Sequence, residues 1–179
     1  YLVELPLDGS EPQIWAEFPH CINHAQFSPT DPNTVLFAED FWRDDATGEM
    51  RPYHRRLWIA PRGRKPYPLY PGETPLHGHE WWDASGKRVF HVWYHHGVSA
   101  APVTGVAETG GSLLWDCPRL LHASCDATAK HFVADWMIDH ERVQGVIARN
   151  PQGGKPLDIV SEMIRPDISY RYHIHPHPA

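Results

Sequence analysis

Gly78-His79-Glu80-Trp81-Trp82-Asp83-Ala84-Ser85-Gly86-Lys87-Arg88-Val89-Phe90 decides how this chain is read, because its pattern recurs, in whole or in part, three more times. Set His79 against His24, His122 and His177, and the residue three positions on is Trp82, Phe27 or Cys125. Asp83, Ser28 or Asp126 follows, and then a turn: Ser85-Gly86-Lys87, Thr30-Asp31-Pro32-Asn33 or Thr128-Ala129-Lys130. Each turn leads into a β-branched or aromatic run, Val89-Phe90-His91, Val35-Leu36-Phe37 or Phe132-Val133-Ala134. The histidines are spaced by 55, 43 and 55 residues. Repeats of roughly 40 to 50 residues, each with four short strands, are what propeller blades look like.

Outward from that stretch, the chain reads as strands broken by turns. Leu2-Val3-Glu4-Leu5 and Gln13-Ile14-Trp15 flank Asp8-Gly9-Ser10. The first full unit, 20–70, runs through Val35-Leu36-Phe37-Ala38, a polar excursion from Arg43 to Met50, and then Arg56-Leu57-Trp58-Ile59-Ala60 and Tyr67-Pro68-Leu69-Tyr70. The second, 77–115, passes from Val89–Tyr94 through a Gly-rich connection to Ser112-Leu113-Leu114-Trp115. The third, 120–160, ends on Val143–Ala148 and Leu157–Val160, and a truncated fourth occupies 172–179. No stretch sustains a 3.6-residue period, and Gly, Pro, Asn and Asp punctuate strands of four to six residues. The expectation is an all-β chain forming one partial β-propeller domain over 1–179. Three four-stranded blades and the start of a fourth cannot close a ring that normally needs about four to eight, so the chain reads as a fragment, a view its first residue, Tyr1, supports.

Composition bounds the function. Of 179 residues, 41% are hydrophobic and 21% charged, ordinary for a globular protein. No run approaches a membrane span. Three cysteines at irregular spacing make no disulfide framework and favour a reducing compartment; a cytoplasmic location is expected, with the periplasm as the alternative. A formal charge of −6 argues against nucleic acid, yet 51–72 holds six Arg or Lys and no acidic residue. That suits a small anionic ligand, or else a solvated hairpin with charged tips.

In a propeller the first strand of each blade lines the central channel, so residues at one repeat position converge although distant in sequence. His24, His79, His122 and His177 would then surround one pocket; alternatively, each caps a strand or bonds a neighbouring carbonyl. His173-x-His175-x-His177 places three imidazoles on one strand face, and imidazole is the commonest metal ligand. A purification tag or a disordered end would be the alternative, and Pro176 and Pro178 speak against the tag.

The segment His24-Ala25-Gln26-Phe27-Ser28-Pro29-Thr30-Asp31-Pro32, the Arg56-Leu57-Trp58 strand, Gly78-His79-Glu80-Trp81-Trp82, the His122 repeat start and His175-Pro176-His177 together resemble the oligogalacturonate lyases, seven-bladed β-propeller enzymes of pectin breakdown. The resemblance implies a polysaccharide lyase performing β-elimination on short, unsaturated oligogalacturonates, with a divalent metal, typically manganese, in the channel. It implies His79 as general base and Arg56 as the arginine near the substrate carboxylate. His24 and Arg55 are expected to bind substrate, and His122, His175 and His177 to ligate the metal. The family's Gln ligand falls at Tyr172, so His173 is expected in its stead, or the chain acts on another uronate. The residue types suit the chemistry. A weakly acidic C5 proton leaves only if the adjacent carboxylate is neutralised, which a Lewis acid and an arginine fork do, while an imidazole near pKa 6.5 is a fit base. Glu80 and Asp126 are candidate partners to orient imidazoles, Asp126 alternatively a turn residue. The expected partner is a small acidic oligosaccharide, with no nucleic acid or membrane. The competing class is a non-catalytic, TolB-like propeller that binds sugar or protein.

Overall fold

The computed structural model describes residues 1–51, 53, 55–72, 76–104, 111–139 and 143–164. In chain order the strands are β1 (Leu2–Glu4), β2 (Gln13–Ala16), β3 (Ile22–Phe27), β4 (Thr34–Glu39), β5 (Trp42–Arg43), β6 (Met50–Arg51), β7 (Leu57–Pro61) and β8 (Tyr67–Pro68). There follow β9 (His77–Trp82), β10 (Arg88–Trp93), β11 (Gly97–Pro102), β12 (Ser112–Asp116), β13 (Leu120–Cys125), β14 (Phe132–Asp139), β15 (Val143–Ala148) and β16 (Leu157–Ile164). They form three four-stranded antiparallel sheets, β3-β4-β7-β8, β9-β10-β11-β12 and β13-β14-β15-β16, with β1-β2 and β5-β6 as separate pairs. Each large sheet is a meander, the arrangement of a propeller blade. The truncated unit at 172–179 lies outside the described residues.

The sheets stack face to face, so their middle strands are covered on both sides and lose the in-out alternation of a half-exposed strand. Val35 to Glu39 of β4 and Val89 to Val92 of β10 are buried without interruption. Leu36, Leu57 and Ile59 of the first sheet share a core with Val89 and Ala101 of the second. Val92, Val98 and Trp115 of the second meet Leu120, Phe132, Ala134 and Ile147 of the third. Trp15 of β2 covers the opposite face of the first sheet, against Val35, Phe37 and Ala60. Arg62 holds this N-terminal pair in place, forked onto both carboxylate oxygens of Glu4 at 2.8 Å and lying 3.9 Å over the Trp15 ring.

The Gly-rich connection read from the sequence contains a whole strand, β11. Gly97-Val98-Ser99-Ala100-Ala101-Pro102 has too little bulk to read as a strand, and its smallness is structural. A Cβ on Gly97, at φ 137°, would fall 2.0 Å from the Trp115 carbonyl oxygen. The polar excursion carries the small pair β5-β6. Within the basic window Arg51 pairs with Asp44 and Glu49, Arg56 with Asp40 and Arg62 with Glu4, while Arg55 and Lys65 line one cleft.

Between the first two sheets lies a buried aromatic group. His77 and His91 stand 4.4 Å apart between ring centroids, against Tyr70. The Tyr70 hydroxyl meets His91 Nε2 at 3.3 Å, while both His77 nitrogens and His91 Nδ1 have no hydrogen-bond partner among the described residues.

Candidate functional site

The innermost strand of each blade is broken by a bulge, and the repeated histidines sit in it. In the first sheet, pairing jumps from Asn23↔Ala38 to Gln26↔Leu36, leaving His24 and Ala25 opposite Phe37 alone. In the second it jumps from Gly78↔Val92 to Trp81↔Phe90, leaving His79 and Glu80 opposite His91. Two residues against one is the definition of a bulge, and bulges re-aim side chains. His24 and His79 accordingly adopt left-handed φ values of 54° and 50°, at a cost of about 1–2 kcal/mol for each L-residue. In the third sheet the bulge falls one residue earlier, at Leu121 and His122 opposite Asp135, without the left-handed backbone.

These bulges bring three rings from three successive blades into a row. His24 and His79 stand 6.2 Å apart between centroids, and His79 and His122 only 3.8 Å, edge to face. Tyr94 closes over His79 at 6.1 Å and 90°. Its ring passes so near Gly78 that a Cβ there would lie 2.6 Å from the hydroxyl. Burial pushes the Tyr94 hydroxyl up to about 12, with the Arg56 charge acting in the opposite direction.

Two of the imidazoles are held by buried carboxylates. Asp135 Oδ2 accepts from His122 Nδ1 at 2.8 Å, and its Oδ1 accepts from the His122 backbone N–H at 2.7 Å. His24 is held across the blade boundary, its Nδ1 donating to Glu80 Oε1 at 2.9 Å. An ionised carboxylate can only accept, which fixes the proton on Nδ1 and makes Nε2 the remaining atom of each ring. Glu80 raises the pKa of His24 chiefly through that hydrogen bond, against partial burial; Asp40 adds to the rise and Arg56 opposes it. Glu80 thus orients an imidazole, though the neighbouring blade's rather than that of His79 next to it. Asp126 does not. Its carboxylate accepts from the Lys130 and His131 backbone N–H groups, from Thr128 Oγ1 and from His131 Nδ1, which makes it a turn residue on the exposed side.

Arg56 is buried beside this row. Its Nη1 donates to Asp40 Oδ1 at 3.0 Å and to the Glu39 carbonyl at 3.1 Å, and its guanidinium lies 5.5 Å from the Tyr53 ring centre. Arg55 is placed elsewhere, in a cleft of about 550 Å³ lined also by Phe18, His20, Glu39, Trp58 and Lys65. His173, His175 and His177 lie outside the described residues, and so does Tyr172. Among the described residues, no three or more His, Cys, Asp or Glu side chains form a group that could hold a metal ion. His122 nevertheless has the form of a metal ligand, with one ring nitrogen on a buried carboxylate that fixes the tautomer and makes Nε2 the donor. Sequence reasoning missed Asp135, Asp40, Tyr53 and Tyr94. Asp135 carried a signal, a lone carboxylate inside the apolar run Phe132-Val133-Ala134-Asp135-Trp136.

Stacked four-stranded meanders whose innermost strands deliver polar side chains to one point define a β-propeller with its candidate site on the inner strands. Among the solved structures it resembles are two of oligogalacturonate lyases. One, in complex with manganese, superposes with a TM-score of 0.68 at 18% identity over 97% of this chain and 46% of that one. Another, from Vibrio parahaemolyticus, gives 0.65 at 16% identity over 89% and 42%. This chain therefore spans less than half the length of either. No protein-family model matches the sequence, and no curated protein matches it.

Proposed function

We propose that the protein to which this chain belongs is a metal-dependent lyase that cleaves short oligogalacturonates by β-elimination. The observation that carries this reading is the row His24, His79 and His122, three imidazoles from three blades set in bulges on a fold shared with oligogalacturonate lyases.

His79 is the base. It lies between the other two rings, under Tyr94, and a neutral imidazole there takes the C5 proton of a uronate. Arg56 supplies a fixed positive charge for the uronate carboxylate, oriented by Asp40 and the Glu39 carbonyl, so that little reorganisation accompanies the build-up of negative charge. A divalent metal, manganese by analogy with the solved complex, would be held by His122 together with His175 and His177, and with His173 in place of the glutamine whose position Tyr172 occupies. Bound there, it supplies Lewis-acid neutralisation of the carboxylate. Asp135 keeps the His122 ring in the tautomer that such a bond needs. Arg55 belongs to the outer cleft, where with Lys65 it offers positive charge to a more distant uronate.

The test is turnover of unsaturated digalacturonate by the full-length protein and its His79→Ala variant. General base catalysis contributes about 10²- to 10⁴-fold, so a loss of that size is expected. Unchanged turnover would remove His79 from the reaction.

A further inference from the structure

We propose that His24 is a second reacting imidazole, the donor of the proton that the leaving C4 oxygen takes up, and that Glu80 is the positioning residue that holds it for this task. The inference rests on the elimination reading and assigns the half of the reaction that His79 leaves open.

Three observations carry it. First, His24 and His79 occupy the same bulge position in consecutive blades, both with left-handed backbone. The third sheet makes its bulge one residue earlier and without that conformation, so a blade of this fold forms without it, and a bulge whose first residue is left-handed re-aims the side chain it carries. Second, the ring of His24 is fixed by a carboxylate from the next blade rather than by its own. Glu80 is buried, its Oε2 has no hydrogen-bond partner among the described residues, and its Oε1 meets His24 Nδ1 at 2.9 Å. A buried carboxylate with half its acceptors unsatisfied is costly unless a positive charge accompanies it. An imidazolium at His24 is that charge. Third, the His24 side chain is 41% exposed, so the ring can meet a ligand, and only Nε2 remains to do so.

The surroundings agree. Among the described residues, Glu80 and His79 from β9, together with Asp40 and Arg56, are the titratable or charged groups around His24. Two carboxylates against one guanidinium favour the protonated ring.

The geometry suits an acid and a base astride one sugar bond. The proton leaves C5 and the oxygen leaves the adjacent C4, and the two ring centres are 6.2 Å apart. His79 takes the C5 proton, and the C5–H electron pair becomes the C4=C5 double bond. The C4–O bond breaks with its own pair, and that oxygen takes the Nε2 proton of His24. Turnover leaves His79 protonated and His24 neutral, and exchange with water restores both. Nothing is oxidised or reduced.

The experiment compares two substrates in the full-length protein: unsaturated digalacturonate, whose leaving sugar oxygen needs a proton, and a galacturonate carrying 4-nitrophenoxide at C4, which leaves without one. His24→Asn is the variant, since asparagine tolerates left-handed backbone. A loss of about 10²- to 10⁴-fold is expected on the first substrate and of less than about tenfold on the second. Glu80→Gln, nearly isosteric, should move the alkaline limb of kcat/KM to lower pH, because His24 then loses its proton earlier. Equal losses on both substrates, or an alkaline limb that stays in place in Glu80→Gln, would overturn the role of His24 while leaving the elimination intact. A wild-type protein inactive on both substrates would overturn the elimination itself and the role of His24 with it.

Discussion

His79 and His122, 43 residues apart in sequence, meet edge to face with ring centroids 3.8 Å apart. Two rings in edge-to-face contact at this distance do not turn independently, because close-packed side chains leave neither the room to rotate. Whatever fixes the His122 ring therefore also fixes the placement of His79.

Asp135→Asn tests the link between the carboxylate and the proposed metal. The amide still reaches His122 but no longer favours one tautomer of the ring. Metal affinity is expected to fall by about 10- to 100-fold. Titration of the metal-stripped full-length protein with manganese, followed by calorimetry, measures this without reference to turnover. An unchanged affinity would exclude His122 as a ligand oriented in this way.

Gly78→Ala tests the packing of Tyr94. The new Cβ would stand 2.6 Å from the Tyr94 hydroxyl and 3.0 Å from Cε2, so the ring must move, and His79 loses the face it lies under. Overpacking of this kind costs about 1–3 kcal/mol, and displacing a reacting group by an ångström costs about 10² in rate. Urea unfolding should show the former and kcat the latter. Adding Tyr94→Phe, which removes the nearest atom, should recover part of both.

His77 and His91 make stability depend on pH. Desolvation lowers the pKa of His77 from 6.5 to about 4, with the His96 charge acting in the same direction. His91 is pushed well below its ordinary value by burial and then by His77. Both are thus neutral in the fold and readily protonated once it opens. Their contribution is complete above pH 6.5 and is lost as pH falls from there toward 4, at about 1.4 kcal/mol per pH unit for each histidine. The urea midpoint of the full-length protein is expected to drop between pH 7 and pH 5, and to drop less in His91→Leu. An equal drop in the variant would assign the dependence to other groups.

The recurring His79 pattern was enough to order the chain into sheets, because register depends on where turns and apolar runs fall, and those are written in residue type. The pairings Phe27↔Val35, Trp82↔Val89 and Cys125↔Phe132 keep the alignment that spacing suggested. β11 was illegible because Gly97, Ser99, Ala100 and Ala101 are chosen to let neighbouring chains approach, not for strand propensity. The convergence of His24, His79 and His122 followed from repeat position, but their different settings did not. A left-handed histidine leaves no trace in residue type, and the offset of the third bulge by one residue can be seen only in the pairing. Asp135 was hidden inside a hydrophobic run, while Asp126, plainly visible, belongs to a turn. Arg55 and Arg56 are neighbours in sequence, yet only Arg56 lies beside the histidine row.

Glu80 of the second sheet holds His24 of the first, and its backbone carbonyl accepts from Gln26; Trp82 Nε1 donates in turn to the Gln26 carbonyl. The seam between the two blades and the row of histidines are thus one set of bonds, and His122 joins it only from the third blade. During synthesis no single sheet, once released from the ribosome, carries a working fraction of this arrangement. A nascent chain halted before residue 122 would expose His79 without its partner ring. Placing the histidine row across blade boundaries makes its geometry a direct report that neighbouring blades have closed on one another.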